Sequence, residues 1–160
     1  MEQDSFERTR LAQTEDFARI LTISANHRSQ LSSMRGGQMF LAKEAEPVEE
    51  RLISKTDDTS SVVLVGLFDD VIFGYAIGET QVLKDNSKVG SITDFVVEKE
   101  ARSVGIGESM MNSLVDFFTE MECIAVESRT FPGDRATKNF FESFGLKARL
   151  LTVSRDLSQD

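Results

Sequence analysis

The residues with the clearest chemical meaning lie between Phe95 and Glu108. A β-rich run, Phe95-Val96-Val97, leads through Glu98-Lys99-Glu100-Ala101 into Arg102-Ser103-Val104-Gly105-Ile106-Gly107-Glu108, where an amphipathic helix begins. Glycines at Gly105 and Gly107 let the backbone turn tightly and leave no Cβ in a ligand's way. The first amides of a helix have no partner inside it, and the helix dipole favours an anion there. Arg102 adds a formal positive charge. The expected chemistry is a backbone cradle for a pyrophosphate. Two other phosphate motifs are excluded. A Walker loop needs a lysine after its last glycine, and Glu108 stands in that place. The dinucleotide fingerprint needs a third glycine, and Gly105-Ile106-Gly107-Glu108-Ser109-Met110 ends in methionine.

Arg102-Ser103-Val104-Gly105-Ile106-Gly107 resembles the coenzyme A loop of the GNAT superfamily of N-acetyltransferases, whose pattern is Arg or Gln, two residues, Gly, one residue, Gly or Ala. The approach, Val97-Glu98-Lys99-Glu100-Ala101-Arg102, is similar to the family's Val-x-Pro-Glu-x-Arg, with Lys99 in place of proline. Further on, Asp134 to Leu146 resembles the second signature, an Asn seven residues before a Tyr with Gly-Phe soon after. The resemblance implies acetyl-CoA as co-substrate, no metal, and direct acetyl transfer to a primary amine. That amine belongs to a small molecule, a peptide N-terminus or a lysine. It also implies a GNAT fold: a mostly antiparallel sheet, splayed between its fourth and fifth strands, with helices on both faces. The backbone of Phe95, Val96 and Val97 would hold the pantetheine arm in that splay. The amides of Arg102, Ser103, Val104, Gly105, Ile106, Gly107 and Glu108 would hold the pyrophosphate. The specific part of the resemblance covers residues 92–146.

Two departures matter. The family's Tyr, which protonates the departing thiolate, is Phe141 here, with no proton to give. A thiolate can still leave unaided, since its conjugate pKa is about 8.5. The signature Asn is Asp134, which either caps the helix or touches the cofactor. For the base that takes the amine's proton, the resemblance offers Glu127 and Asp94, with water as the third option. The missing Tyr also leaves open a module that binds acyl-CoA without turnover.

These residues need elements to position them. Phe6 to Leu11 reads as a first strand, with Thr14 capping a helix through Phe17, Ile20 and Leu21. Arg35-Gly36-Gly37 breaks the chain, and Pro47 opens a short helix. Val62 to Phe68 and Val71 to Val82 form a hairpin through Asp69-Asp70, followed by a third antiparallel strand, Val89 to Val97. Gly105 to Met121 is the clearest helix, with Ile106, Met110, Leu114, Phe117, Phe118 and Met121 on one side. A strand from Ile124 to Ser128, a helix from Asp134 to Phe144 and a closing strand from Ala148 to Arg155 complete the order. His27 reads as a helix-end residue and Cys123 as core.

Length and composition fit this order. The 160 residues make one domain, spanning 1–160, without linker, repeat or low-complexity tract. A hydrophobic share of 40% against 28% charged residues belongs to a folded soluble chain. One cysteine excludes a disulfide framework and a cysteine zinc site, and one histidine leaves little for an imidazole site. Eighteen basic residues against 27 acidic ones give a net charge of -9, which disfavours nucleic acid and weakly favours cationic amines. No apolar run is long enough to span a membrane, and the acidic start, Met1-Glu2-Gln3-Asp4, lacks the charge of a signal peptide. The expectation is a cytoplasmic monomer or homodimer.

Overall fold

The computed structural model describes residues 7–44 and 46–158. Ten principal elements follow one another among these residues: β1 (Glu7–Leu11), α1 (Phe17–Ser32), α2 (Gly37–Ala42), α3 (Val48–Thr56), β2 (Ser61–Phe68), β3 (Val71–Val82), β4 (Lys88–Val97), α4 (Ile106–Glu120), β5 (Ala125–Ser128) and α5 (Arg135–Ser143). The strands form one sheet in the order β1-β2-β3-β4-β5. The first four pair antiparallel, and β5 joins β4 in parallel.

Strand β2 shows why the sheet is covered on both sides. Its residues from Val62 to Leu67 are buried without alternation, as a strand with helices on both faces requires. Val62 and Leu64 point to α4, where they meet Ile106, Met110, Leu114 and Phe118. Val63, Val65 and Leu67 point the other way, to Ile20 and Ile23 of α1 and Leu52 of α3. Successive side chains of a strand alternate between faces, so one apolar run feeds two cores. The α4 core needs room in the sheet: a Cβ on Gly90 would lie 2.4 Å from the Phe118 ring, and one on Gly78 2.7 Å from it.

Several expectations change. Thr14 starts a one-turn 3-10 helix rather than capping α1, and Asp16 bonds back to the Gln13 amide at 2.8 Å. The break at Gly36 begins a short helix, α2, after a left-handed turn at φ 81°. Pro47 is the residue before α3 rather than its first. Ala148 to Arg155 forms no strand: its residues are exposed and pair with no strand of the sheet. Period-two patterning marks a segment able to pair, and pairing needs a neighbour. Phe6 lies outside the described residues.

Candidate active site where two strands part

A bulge sets the site. Strand β4 has one residue more than β3 between Ile92 and Asp94, because Ile77 opposes Asp94 while Gly78 opposes Ile92. Thr93 is the extra residue, and such bulges re-aim the side chains that follow. Past it, Asp94 and Val96 face the α1 side of the sheet, while Phe95 and Val97 face α4 and α5. Pairing with β5 stops at Ile92 opposite Ser128, while β4 runs on to Val97. The two strands part there, leaving one edge of β4 open.

Backbone direction follows from alternation. The Glu98 amide bonds to Phe73 of β3 at 2.8 Å, so the polar groups of Val97 and Phe95 face away from β3, into the gap. The Val97 carbonyl accepts from Arg102 Nε at 3.3 Å, which holds that exposed arginine back along the loop.

Between β4 and α4 the chain makes the expected turn. Lys99–Ala101 form one 3-10 turn, and Ser103 and Gly105 take left-handed φ values of 80° and 89°. Gly105 precedes the helix without a side-chain cap. Among the described residues, the amides of Val104, Gly105, Ile106, Gly107 and Glu108 have no backbone hydrogen-bond partner. Five free donors around a helix N-terminus suit an anion. Ile106 contributes only its amide, since its side chain is buried, whereas Val104 and Glu108 are exposed. Gly107 corrects one expectation. Its backbone is helical, and a Cβ there would lie 3.3 Å from the Phe140 ring, so close packing rather than turning explains that glycine.

A cavity of about 70 Å³ opens beside the parted strands. Phe95 and Phe141 line it, their rings 5.8 Å apart. Phe141 is buried and presents an apolar face. Asp134 also borders the cavity, but its carboxylate caps α5, accepting from the Thr137 amide at 3.2 Å and the Thr137 hydroxyl at 2.7 Å. Opposite, Phe40 of α2 meets Phe131 edge to face at 5.2 Å, with the Arg129 guanidinium 5.3 Å from the Phe40 ring.

Asp94 lies at the cavity floor within a buried charge network. It accepts from the Tyr75 hydroxyl at 2.8 Å, from Arg28 at 3.5 Å and from Arg51. Arg28 in turn binds Glu44 through two bonds, at 2.7 and 3.1 Å. Burial and then the Asp94 charge push the Tyr75 hydroxyl well above its ordinary pKa, which keeps it a proton donor to that carboxylate. Glu127 is elsewhere. It is exposed on β5 opposite Ser91 and does not border the cavity.

The structure brings in a residue that the sequence set aside. His27 of α1 borders the cavity with Asp94, Phe95 and Phe141. Burial, and then the Arg28 charge, hold its pKa below the ordinary 6.5, against the opposing pull of Asp94 and Asp134. The imidazole is therefore neutral at pH 7 and can accept a proton. No spacing in the sequence links position 27 to position 94; only the packing of α1 over β4 does. Among the described residues, no group of three His, Cys, Asp or Glu side chains could hold a metal ion. No helix among them is long and apolar enough to cross a membrane.

Known structures share this fold. A tetramutant of the BH1408 protein of Bacillus halodurans matches with a TM-score of 0.80 at 19% identity, over 93% of this chain and 99% of that one. An aminoglycoside acetyltransferase, meta-AAC0020, from an uncultured soil metagenomic sample matches with a TM-score of 0.66 at 17% identity, over 98% and 99%. Glucosamine-6-phosphate N-acetyltransferase of Arabidopsis thaliana matches with a TM-score of 0.65 at 18% identity, over 95% and 99%. No curated protein sequence matches. A profile of the acetyltransferase (GNAT) family matches residues 24–146, a span that holds the cradle, the parted strands and the cavity, and the chain belongs to that family.

Proposed function

We propose that this protein transfers an acetyl group from acetyl-CoA to a primary amine of a small molecule, a peptide N-terminus or a lysine, acting in the cytosol. One observation carries the reading: the open end of β4, whose residues Thr93 to Val96 line a cavity with acid–base groups, runs on in the chain to the free amides at the start of α4. Acetyl-CoA supplies a thioester that an amine can attack and a thiolate that can depart. The amides from Val104 to Glu108 hold the pyrophosphate, while the Arg102 amide stays bonded to the Lys99 carbonyl at 3.3 Å and the Arg102 side chain leaves the Val97 carbonyl to join them. The backbone of Phe95 and Val97 holds the pantetheine amides. His27 takes the proton from the attacking amine. Asp94 positions it by fixing Arg28, Arg51 and Tyr75 beneath the cavity. Aligning the reactants supplies much of the rate, so side-chain chemistry adds a modest part. Two structural neighbours are named for acetylating aminoglycosides and glucosamine 6-phosphate, and both acceptors carry amines. Phe141, which has no hydroxyl to offer, favours one second reading: a domain that binds acyl-CoA without turnover.

The test is release of free thiol from acetyl-CoA across a panel of amines and basic peptides, beside calorimetric titration with acetyl-CoA. Turnover with any acceptor removes the second reading, and binding with silence across the panel supports it. No binding at millimolar acetyl-CoA overturns both. Arg102→Glu weakens binding by about tenfold or more while leaving the melting temperature unchanged. His27→Gln lowers kcat by about 10²- to 10⁴-fold at pH 7, with a loss that shrinks as rising pH delivers the amine already deprotonated. Glu127→Gln leaves kcat within about twofold; a loss confined to that variant would transfer the role to Glu127.

A further inference from the structure

Resting on the acetyl-transfer reading above, we infer that the acceptor amine carries an oxyanion, a carboxylate or a phosphate, held by the Arg129 guanidinium at the mouth of the cavity. Three carboxylates line that cavity, and each is already engaged. Glu44 spends both oxygens on Arg28, at 2.7 and 3.1 Å. Asp94 accepts from Tyr75, Arg28 and Arg51. Asp134 accepts from the Thr137 amide and hydroxyl. Of the two lining arginines, Arg28 is matched by Glu44 and Asp94. Arg129 is unmatched: among the described residues it has neither an ion pair nor a hydrogen bond. The one charge that the cavity leaves unspent is therefore positive.

Its surroundings also hold that guanidinium in place. Arg129 follows β5 directly, is exposed at the cavity and lies 5.3 Å from the centre of the Phe40 ring. Phe131 braces Phe40 in turn, edge to face at 5.2 Å. An arginine resting on an aromatic ring keeps donors free at its edge, and their fork matches two oxygens of a carboxylate or phosphate. At about 70 Å³ the cavity is far smaller than a pocket that encloses a whole ligand, so only the amine end enters. The other end of the acceptor stays at the rim, within reach of Arg129. A polyamine or a basic peptide would bring a second cation there, with no unspent carboxylate in the lining to receive it. The net charge of -9 does not reverse this preference. Salt screens exposed charges beyond about 8 Å at physiological ionic strength, so the few groups at the mouth decide which ligand is held.

Thiol release from acetyl-CoA with paired amines tests the inference. Phenylalanine is set against phenethylamine and phosphoethanolamine against ethanolamine, with spermidine as the polycation. Within each pair only the oxyanion differs. The expected result is a kcat/KM higher by about tenfold or more for the oxyanion partner of at least one pair, with spermidine poorest. The pair that responds tells carboxylate from phosphate. Arg129→Gln removes about tenfold of that preference, mainly through KM, and Arg129→Lys recovers part of it. Comparing the preference between proteins cancels the unequal basicity of the paired amines. A kcat/KM as high for the amines without an oxyanion, or for spermidine, overturns the inference and leaves acetyl transfer standing. A preference that Arg129→Gln leaves intact does the same. If acetyl-CoA binds and no amine releases thiol, acetyl transfer fails instead, and calorimetric titration of the same amines into protein saturated with coenzyme A decides. Binding of phenylalanine or phosphoethanolamine that is lost in Arg129→Gln keeps the anion site, and no binding removes it.

Discussion

Phe141 gathers the consequences of a single missing hydroxyl. Its ring forms an apolar wall beside Phe95 and Phe140, where the sequence resemblance expects a phenol. Phe141→Tyr adds one oxygen at the cavity edge. If departure of the thiolate limits the reaction, kcat rises by up to about tenfold; an unchanged kcat in single-turnover measurements shows that the hydroxyl was dispensable. Asp94 carries the opposite message. Its carboxylate is shared among Tyr75, Arg28 and Arg51, so removing it leaves the Arg51 guanidinium without its carboxylate and Arg28 with Glu44 alone. Asp94→Ala is expected to destabilise the fold by about 3–5 kcal/mol, measured by urea unfolding. A stable, inactive Asp94→Ala protein would instead point to a direct part in proton transfer.

At the scale of elements, the site depends on how closely α4 approaches the sheet. Phe118 rests over Gly78 of β3 and Gly90 of β4, two glycines on neighbouring strands that clear space for one ring. Gly90 sits two residues before Ile92, where β4 and β5 stop pairing, so this contact anchors the strand that then swings free. Gly90→Ala puts a methyl 2.4 Å from the ring and forces α4 outward. The expected cost is about 1–3 kcal/mol, read as a lower urea midpoint with an unchanged m-value. Acetyl-CoA affinity should fall with it, because the cradle is the start of the same helix. A variant as stable as the parent would mean that α4 adjusts without strain.

For the whole molecule, the burial of His27 ties stability to pH. Its folded pKa lies below 6.5, with burial the chief cause, so the unfolded chain binds the proton more readily. Stability is therefore full above pH 6.5 and falls as pH drops from there towards the folded value. Asp16 adds a second loss at lower pH. The hydrogen bond from Arg10 is the main reason its pKa lies below 3.8, and that stabilisation vanishes as acid protonates the carboxylate. Calorimetric melting at pH 7.5 and 5.5 should show a lower temperature at the acid value. His27→Gln should shrink that difference, and an equal drop in the variant would remove His27 as its cause.

Local patterning in the sequence determined most of the elements and the anion cradle. Arg102 to Gly107 is continuous in the chain, and a strand, a left-handed turn and an uncapped helix start depend on neighbours in sequence. The hairpin of β2 and β3, the stripe along α4 and the capping role open to Asp134 were legible for the same reason. The sequence did not contain the cavity. His27, Phe40, Asp94 and Phe131 meet only because α1 and α2 fold across the bulged end of β4, and no periodicity encodes that crossing. Glu127 shows the limit from the other side: an acid on the expected strand whose exposed position only the register with Ser91 reveals. Residues 148–155 show it again, since alternation can mark a segment as able to pair but cannot supply the edge to pair with. Propensity is a property of neighbours along the chain, whereas a site and a strand partner are properties of distances across it.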